Sequence, residues 1–323
     1  MHIEKHLNVI NACRFCFMCR HLDPVGNVTF READTPRGRA LMCDRIRMDA
    51  ANLSNADYID AFYRSALSAA NRFHCVSDYD ETGLVLAVRR DIVEADLAPA
   101  AVKALAKTLE KNTFSVKGKG RALYFGPTPE LYKGCAVITG GDPGKALAVL
   151  GFEAASKKVF ARFKKAVTDS GCKTLIVAEP SAFEFLHDRL PGVNVIHSAA
   201  YFVEQGMNKT GSRKAVYLES DFLKNTCGNP SAPRDLLKQL GYKLVPFGTN
   251  VEESYAVGEG AVVYDTLYPA LAERLCQRVY ALAEGLGKTR FITASQTVKD
   301  TLKKYNPTFD VITLEEAVAL SQD

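Results

Sequence analysis

The chain holds 323 residues, 47% of them hydrophobic and 24% charged, with a formal net charge of +4. These are the proportions of an ordinary globular protein with enough apolar material for two domains, or for a small domain set on a larger one. So small a net charge gives no argument for nucleic acid, and none of the recognised aromatic-plus-basic binding motifs is present.

The opening stretch, MHIEKHLNVINAC, carries scattered charges and lacks the apolar run and small-residue cleavage site of a secretory signal. No apolar run approaches the ~18 residues of a spanning helix. A cytoplasmic chain is therefore expected. In that compartment the nine cysteines read as metal ligands and small buried hydrophobes, not as disulfides. The densest chemistry lies between Ala12 and Pro24, where Cys13, Cys16 and Cys19 recur at a step of three. Three thiols so spaced in a short irregular loop are able to converge on the corner irons of one cubane cluster. A zinc knot uses similar residues, but usually as paired C-x2-C elements.

Beyond this loop Thr35 is placed as the N-cap, and Pro36 as the first residue, of a helix running toward Met48. A second helix is expected over Ala56 to Asn71, ending beside His74 and Cys75, and Ala98 to Lys119 reads as a helix plus a linker. From Arg121 onward short apolar runs alternate with amphipathic helices. Strands are expected at Ala122 to Phe125, Thr174 to Ala178, Val193 to His197, Ala215 to Glu219, Lys243 to Phe247, Arg290 to Thr293 and Phe309 to Thr313. Such alternation implies α/β layering with largely parallel strands. Gly140 to Gly144 lacks the Lys-Ser/Thr ending of a phosphate loop and reads as a turn.

The pairs Gly171 and Gly287, Ala178 and Ala294, Leu186 and Leu302, and Val195 and Val311 all stand 116 residues apart. A constant offset of this kind indicates two copies of one α/β module. The expected division is a helical domain over 1–100, a first α/β module over 121–205 and a second over 212–323.

The run Cys13-x2-Cys16-x2-Cys19-x3-Asp23-Pro24, followed by Thr35-Pro36-Arg37-Gly38-Arg39, closely resembles the start of the iron–sulfur subunits of glycolate oxidase and related FAD-linked 2-hydroxyacid dehydrogenases. Those proteins in turn resemble the heterodisulfide reductase catalytic subunits. Their pattern is C-x2-C-x2-C-x3-C-P, an S/T-P-R-G-R turn, a helical spacer, a second C-x2-C-x2-C-x3-C-P, and two cysteine-rich α/β modules. The resemblance implies a helical ferredoxin-like domain followed by a pseudo-twofold pair of cysteine-rich-domain-like modules.

The departures from that pattern carry information. Asp23 stands where the first motif has its fourth cysteine, and the second motif falls on Ser65, Ser68, Asn71 and Cys75, so that its last cysteine alone survives. In paired-cluster ferredoxins the fourth cysteine of each motif ligates the other motif's cluster. One cluster thus loses every ligand and the other keeps all four: Cys13, Cys16, Cys19 and Cys75. Cys43, His74 and, more weakly, Asp23 compete with Cys75 for the fourth position. The modules are stripped too. Ala178 to Ala182, Ala294 to Val298, Glu219-Ser220-Asp221 and Ala256-Val257-Gly258 occupy the family's cysteine elements, so no cluster is expected there.

The resemblance implies an electron-transfer subunit that carries a single [4Fe-4S] cluster and accepts electrons from an FAD-containing partner oxidising a 2-hydroxyacid-like substrate. A quinone or carrier protein would be the acceptor, and a peripheral place at the inner face of the membrane, through a complex, is the variant on a cytoplasmic location. No catalytic residue is assigned, since no nucleophile–base pair and no flavin or nicotinamide fingerprint is found, and FAD is expected only in the partner. Arg14, Arg20, Arg37 and Arg39 are either a solvated face or neighbours of the cluster that raise its potential. The alternative from another class is a scaffold, in which a structural metal or cluster staples the N-terminal domain and the degenerate α/β pair docks a partner.

Overall fold

Residues 1–207, 209, 211–228 and 231–322 are described by the structure, a computed structural model. Side-chain caps start the N-terminal helices. Asp23 accepts from the Val25 and Gly26 N–H groups ahead of the helix Pro24–Thr29, and Thr35 accepts from Gly38 ahead of Pro36–Met48. Asn55 does the same for Ala56–Arg64 and Asp80 for Glu81–Glu94. Each cap satisfies N–H groups that a helix start leaves without partners.

The second expected helix is shorter than its sequence suggests. It ends at Arg64, and only a 3-10 turn, Ala70–Phe73, follows before Cys75. Leu67 and Ala69 take left-handed backbone angles, and the Ser65 and Ser68 hydroxyls accept from Leu67 N and Ala70 N. Such local bonds compete with the helix ladder. The break is held from outside by Arg89, whose buried guanidinium donates to the carbonyls of Phe62, Tyr63 and Ser65 and also to that of Val149.

Two sheets follow. The first contains β1 (Phe114–Lys117), β2 (Leu123–Phe125), β3 (Ala136–Gly140), β4 (Thr174–Val177) and β5 (Asn194–His197), in the order β1-β3-β2-β4-β5 with β1 alone antiparallel. The second contains β6 (Arg213–Leu218), β7 (Tyr242–Leu244), β8 (Arg290–Thr293) and β9 (Val311–Thr313), all parallel, in the order β7-β6-β8-β9. The expected α/β class with largely parallel strands is what the chain adopts. The second order repeats that of β3-β2-β4-β5, and both the β4/β8 pair and the helices Ser198–Gln205 and Leu314–Gln322 begin 116 residues apart.

Two strands depart from expectation. The linker assigned to the end of Ala98–Lys119 contains β1, whose Phe114 and Val116 turn inward while Ser115 and Lys117 face solvent, a period of two that four residues only just display. β3 was not expected at all. At the other margins β7 stops at Leu244 and not at Phe247, just ahead of Pro246, and β9 begins at Val311 and not at Phe309. The Gly140 to Gly144 segment is the turn it reads as, closed by the Asp142 carboxylate on the N–H groups of Gly144 and Ala146.

One apolar cluster joins the N-terminal helices to the second sheet, with Ile10, Leu84 and Val88 in the same core as Val216, Phe291 and Val311. Gly260 marks the closest backbone approach: a Cβ there would lie 2.3 Å from the Leu67 carbonyl oxygen. The carboxyl ends of β4, β6 and β8, where ligands of open parallel sheets gather, lead into Glu179, Glu219 and Ser295.

Candidate metal centre

The helix Leu7–Ala12 hands over to Cys13, whose extended backbone starts the cysteine loop, and Phe15 takes a left-handed angle that bends it. Cys19 caps the short turn Arg20–Leu22. Cys75 closes against the Ala70–Phe73 turn through its N–H on the Arg72 carbonyl. These three local choices bring Cys13, Cys16, Cys19 and Cys75 to the wall of one cavity. It is narrow, with a volume of about 30 Å³, and Asn71 and Tyr79 complete its inner side.

Polar hydrogens are aimed at the sulfurs. Phe15 N–H donates to Cys13 Sγ and Tyr79 N–H to Cys75 Sγ, each at 3.4 Å. The Arg37 N–H serves Cys19. Pro36 and Arg37 also line the cavity, so the positive end of the Pro36–Met48 helix faces it. Burial pushes the Cys13 thiol up and the Cys19 thiol up to about 12, with neighbouring thiols adding to both. Left to themselves these groups keep their protons at neutral pH. A bound cation or cluster reverses that preference, because it takes thiolates as ligands.

The three rivals for the fourth position are engaged elsewhere. Cys43 is 1% exposed, packs in the core and does not line the cavity. His74 Nε2 meets Glu252 at 3.0 Å, and its ring lies 5.3 Å from that of His21. Asp23 caps a helix and takes Arg39 at 2.6 Å, while Arg39 bonds Glu81 at 2.5 Å on its other side. All three members of that network are buried, and one guanidinium nitrogen of Arg39 has no partner among the described residues.

The separation of the sulfurs bears on which group fits. A single zinc ion with Zn–S bonds of about 2.3 Å draws its thiolates to within roughly 4 Å of one another. Among the described residues the one set of three Cys, His or carboxylate side chains with ligand atoms all within 4.8 Å is His2, Asp91 and Glu94. There both Asp91 oxygens already accept backbone N–H groups, from His2 and Ile3. No three of the four cysteine sulfurs lie within 4.8 Å of one another, and a cubane attaches each thiolate to a different iron. Four thiols on one cavity, with N–H groups aimed at sulfur, are a donor set for a thiolate-bound metal group.

In the two α/β modules, the positions that the family pattern gives to cysteine form a second buried network. Glu179 accepts from Ser295 Oγ at 2.5 Å and from Gln296 N at 2.9 Å. Glu259 accepts from Ser220 Oγ and from Asp221 N, and Asp221 accepts from Ser254 Oγ. Burial raises all three carboxyls, Asp221 to about 6. Glu259 and Ser254 were not singled out in the sequence. In the structure they lie beside Val257 and Val262, two β-branched residues with positive φ.

No helix among the described residues is long and apolar enough to cross a membrane. No protein-family model, curated protein or solved structure significantly matches the chain.

Proposed function

We propose that this chain is an electron-transfer subunit that holds one [4Fe-4S] cluster through Cys13, Cys16, Cys19 and Cys75. The observation that carries the reading is that Cys13, Cys16 and Cys19, read from their spacing, and Cys75, supplied by the resemblance, line one cavity while Cys43, His74 and Asp23 lie off it or are bound elsewhere. Such a cluster supplies one-electron exchange without bond making in a substrate. The chain's part is to supply thiolates, aim the Phe15, Arg37 and Tyr79 N–H groups at sulfur, and keep the inner wall dry with Pro36 and Tyr79. N–H donors and nearby cations of this kind raise a cluster's potential.

Two finer architectural statements belong to the same proposal. The N-terminal 100 residues are a ferredoxin-like helical domain reduced to one cluster. The α/β remainder is a pseudo-twofold pair of modules, supported by the repeated strand order and by the Glu179–Ser295 contact between residues 116 apart. By the resemblance, electrons come from an FAD-containing subunit acting on a 2-hydroxyacid-like substrate and leave to a quinone or a carrier protein, in the cytoplasm or at the inner face of the membrane.

Anaerobic purification tests the reading. About four irons and about four acid-labile sulfides per chain, with absorbance near 400 nm that bleaches reversibly on dithionite, are expected. One zinc per chain with no sulfide would leave the scaffold alternative in its place, and an iron count near eight would contradict the single site.

A further inference from the structure

Of thirteen large apolar side chains that stand exposed among the described residues, ten lie within residues 1–76, and five of these flank the cysteine cavity. Phe15, Phe17 and Met18 come from the cysteine loop, and Phe73 and Val76 from either side of Cys75. Phe17 is 68% exposed, Phe73 56% and Val76 85%. Met18 and Val76 also form the cavity wall. The two segments are continuous in space. The Phe73 ring lies 5.1 Å from that of His74, and the His74 ring lies tilted, 5.3 Å from that of His21, on the turn that starts with an Arg20 N–H bond to the Phe17 carbonyl. An isolated surface phenylalanine needs no explanation, but a contiguous apolar face around one site marks an interaction surface.

Guanidinium outnumbers carboxylate around this face. Arg14 lines the cavity, is exposed, and has no carboxylate partner among the described residues. Arg20 and Arg37 share a single carboxylate, Glu32, at 3.9 and 2.6 Å. Arg72 is matched by Asp78. With Glu252 held on His74, the four guanidiniums of Arg14, Arg20, Arg37 and Arg72 face three carboxylates, an excess of one. Cys16, itself exposed, lies at the centre. An apolar centre with a charged rim is the build of a protein interface in which the rim steers encounter.

We infer that the face formed by Phe15, Phe17, Met18, Phe73 and Val76 docks a flavoprotein whose surface presents apolar side chains ringed by carboxylates, and that electrons cross there, beside Cys16. The inference rests on the electron-transfer reading above.

The test uses anaerobically purified full chain and, as probe, purified flavodoxin, an acidic FMN protein. Binding of oxidised flavodoxin is measured by fluorescence anisotropy at low and high salt. Separately, dithionite-reduced chain freed of excess reductant is mixed with flavodoxin; one electron passes from the chain to each flavin, which takes one proton from water. The same reduced chain is mixed with benzyl viologen, a small acceptor that needs no docking face. Phe17→Asp with Phe73→Asp, two residues that do not line the cavity, should weaken flavodoxin binding and slow flavin reduction by about tenfold or more, with iron content and viologen rate unchanged. Arg14→Glu serves as a second, independent variant and should reduce the salt dependence as well as the rate.

Variants that leave flavodoxin binding and rate unaltered would overturn the docking face while leaving the electron-transfer reading intact. Loss of both flavodoxin and viologen rates would assign the residues to structure and would overturn it too. A wild-type dimer in sedimentation that the aspartate pair disperses would give the face to a second copy of this chain instead. Chain without iron and sulfide would remove the electron-transfer reading and this inference together.

Discussion

Ser295 Oγ donates a 2.5 Å hydrogen bond to the carboxylate of Glu179, although one residue follows β8 of the second sheet and the other follows β4 of the first. Equivalent places in the two α/β modules thus touch each other, and Asp221 and Glu259 add two further buried carboxyls nearby. Glu179 and Asp221 both act on Glu259 through space. Together they make a buried set of hard oxygen groups with no thiol among them.

The first prediction concerns pH. Burial raises Asp221 to about 6, so the folded chain holds this proton more tightly than the unfolded chain does. The stability this group provides is full below the ordinary carboxylate range and is lost as pH rises through about 6. Asp221→Asn, which imitates the protonated form, should flatten the urea midpoint across that window. It should exceed wild type in stability at about pH 7.5 by up to about 3 kcal/mol and match it near pH 4. A midpoint that falls equally at both pH values would show that the carboxyl is needed for its shape alone.

The ligand set makes the second. Cys75→Ser should lower iron and sulfide together, because a cubane deprived of one of four thiolates is poorly held. Cys43→Ser, a change in the core outside the cavity, should leave both counts unaltered. Metal analysis and the absorbance near 400 nm decide between them; the reverse pattern would move the fourth ligand to Cys43.

How far the sequence led depends on whether the deciding interaction was local. Thr35 and Pro36 start their helix through bonds inside one turn, and that helix was legible. Cys75 was picked out by the resemblance, whose second motif ends on it, and it lines the cavity with the other three. The end of the second helix was not, since Arg89, some 25 residues on, holds the freed carbonyls. Ser254 and Glu259 escaped notice for the same reason: their partners Asp221 and Ser220 lie more than 30 residues away. β1 escaped because Phe114–Lys117 sits in a lysine- and glycine-containing stretch that reads as a linker, and β3 runs straight into the glycine turn after it.

A third prediction tests the expectation of a single cluster. Asp23→Cys restores a cysteine to the first motif, yet Ser65, Ser68 and Asn71 still offer no thiols. Iron should stay at about four per chain. Stability should fall by about 3–5 kcal/mol, because the change removes a helix cap and leaves the buried Arg39 guanidinium with Glu81 alone. Urea denaturation and iron analysis of the same sample read both outcomes.

Arg89 supports the fourth. It is 1% exposed and has no carboxylate partner among the described residues, donating instead to four backbone carbonyls. Burial pulls its pKa down, yet an arginine so held stays charged. Arg89→Met keeps most of the volume but strands those carbonyls, and should destabilise by about 3 kcal/mol or more. Arg89→Lys, with one compact head in place of a planar fork, should recover only part of that loss in urea melts.

The last prediction addresses how the N-terminal helices are seated on the second sheet. Gly260 lies in the segment 257–262, and a methyl group there would stand 2.3 Å from the Leu67 carbonyl oxygen and 2.6 Å from that of Ala66. Both contacts are with backbone, which cannot swing aside as a side chain does. Gly260→Ala must therefore push apart the strained segment and the turn that leads to Cys75. A loss of about 2–4 kcal/mol is expected, together with faster release of iron to a chelator, since Cys75 is the ligand nearest this turn. Gly285→Ala, where an added Cβ meets nothing within 4 Å, is the matched control and should change stability by less than about 1 kcal/mol in urea melts.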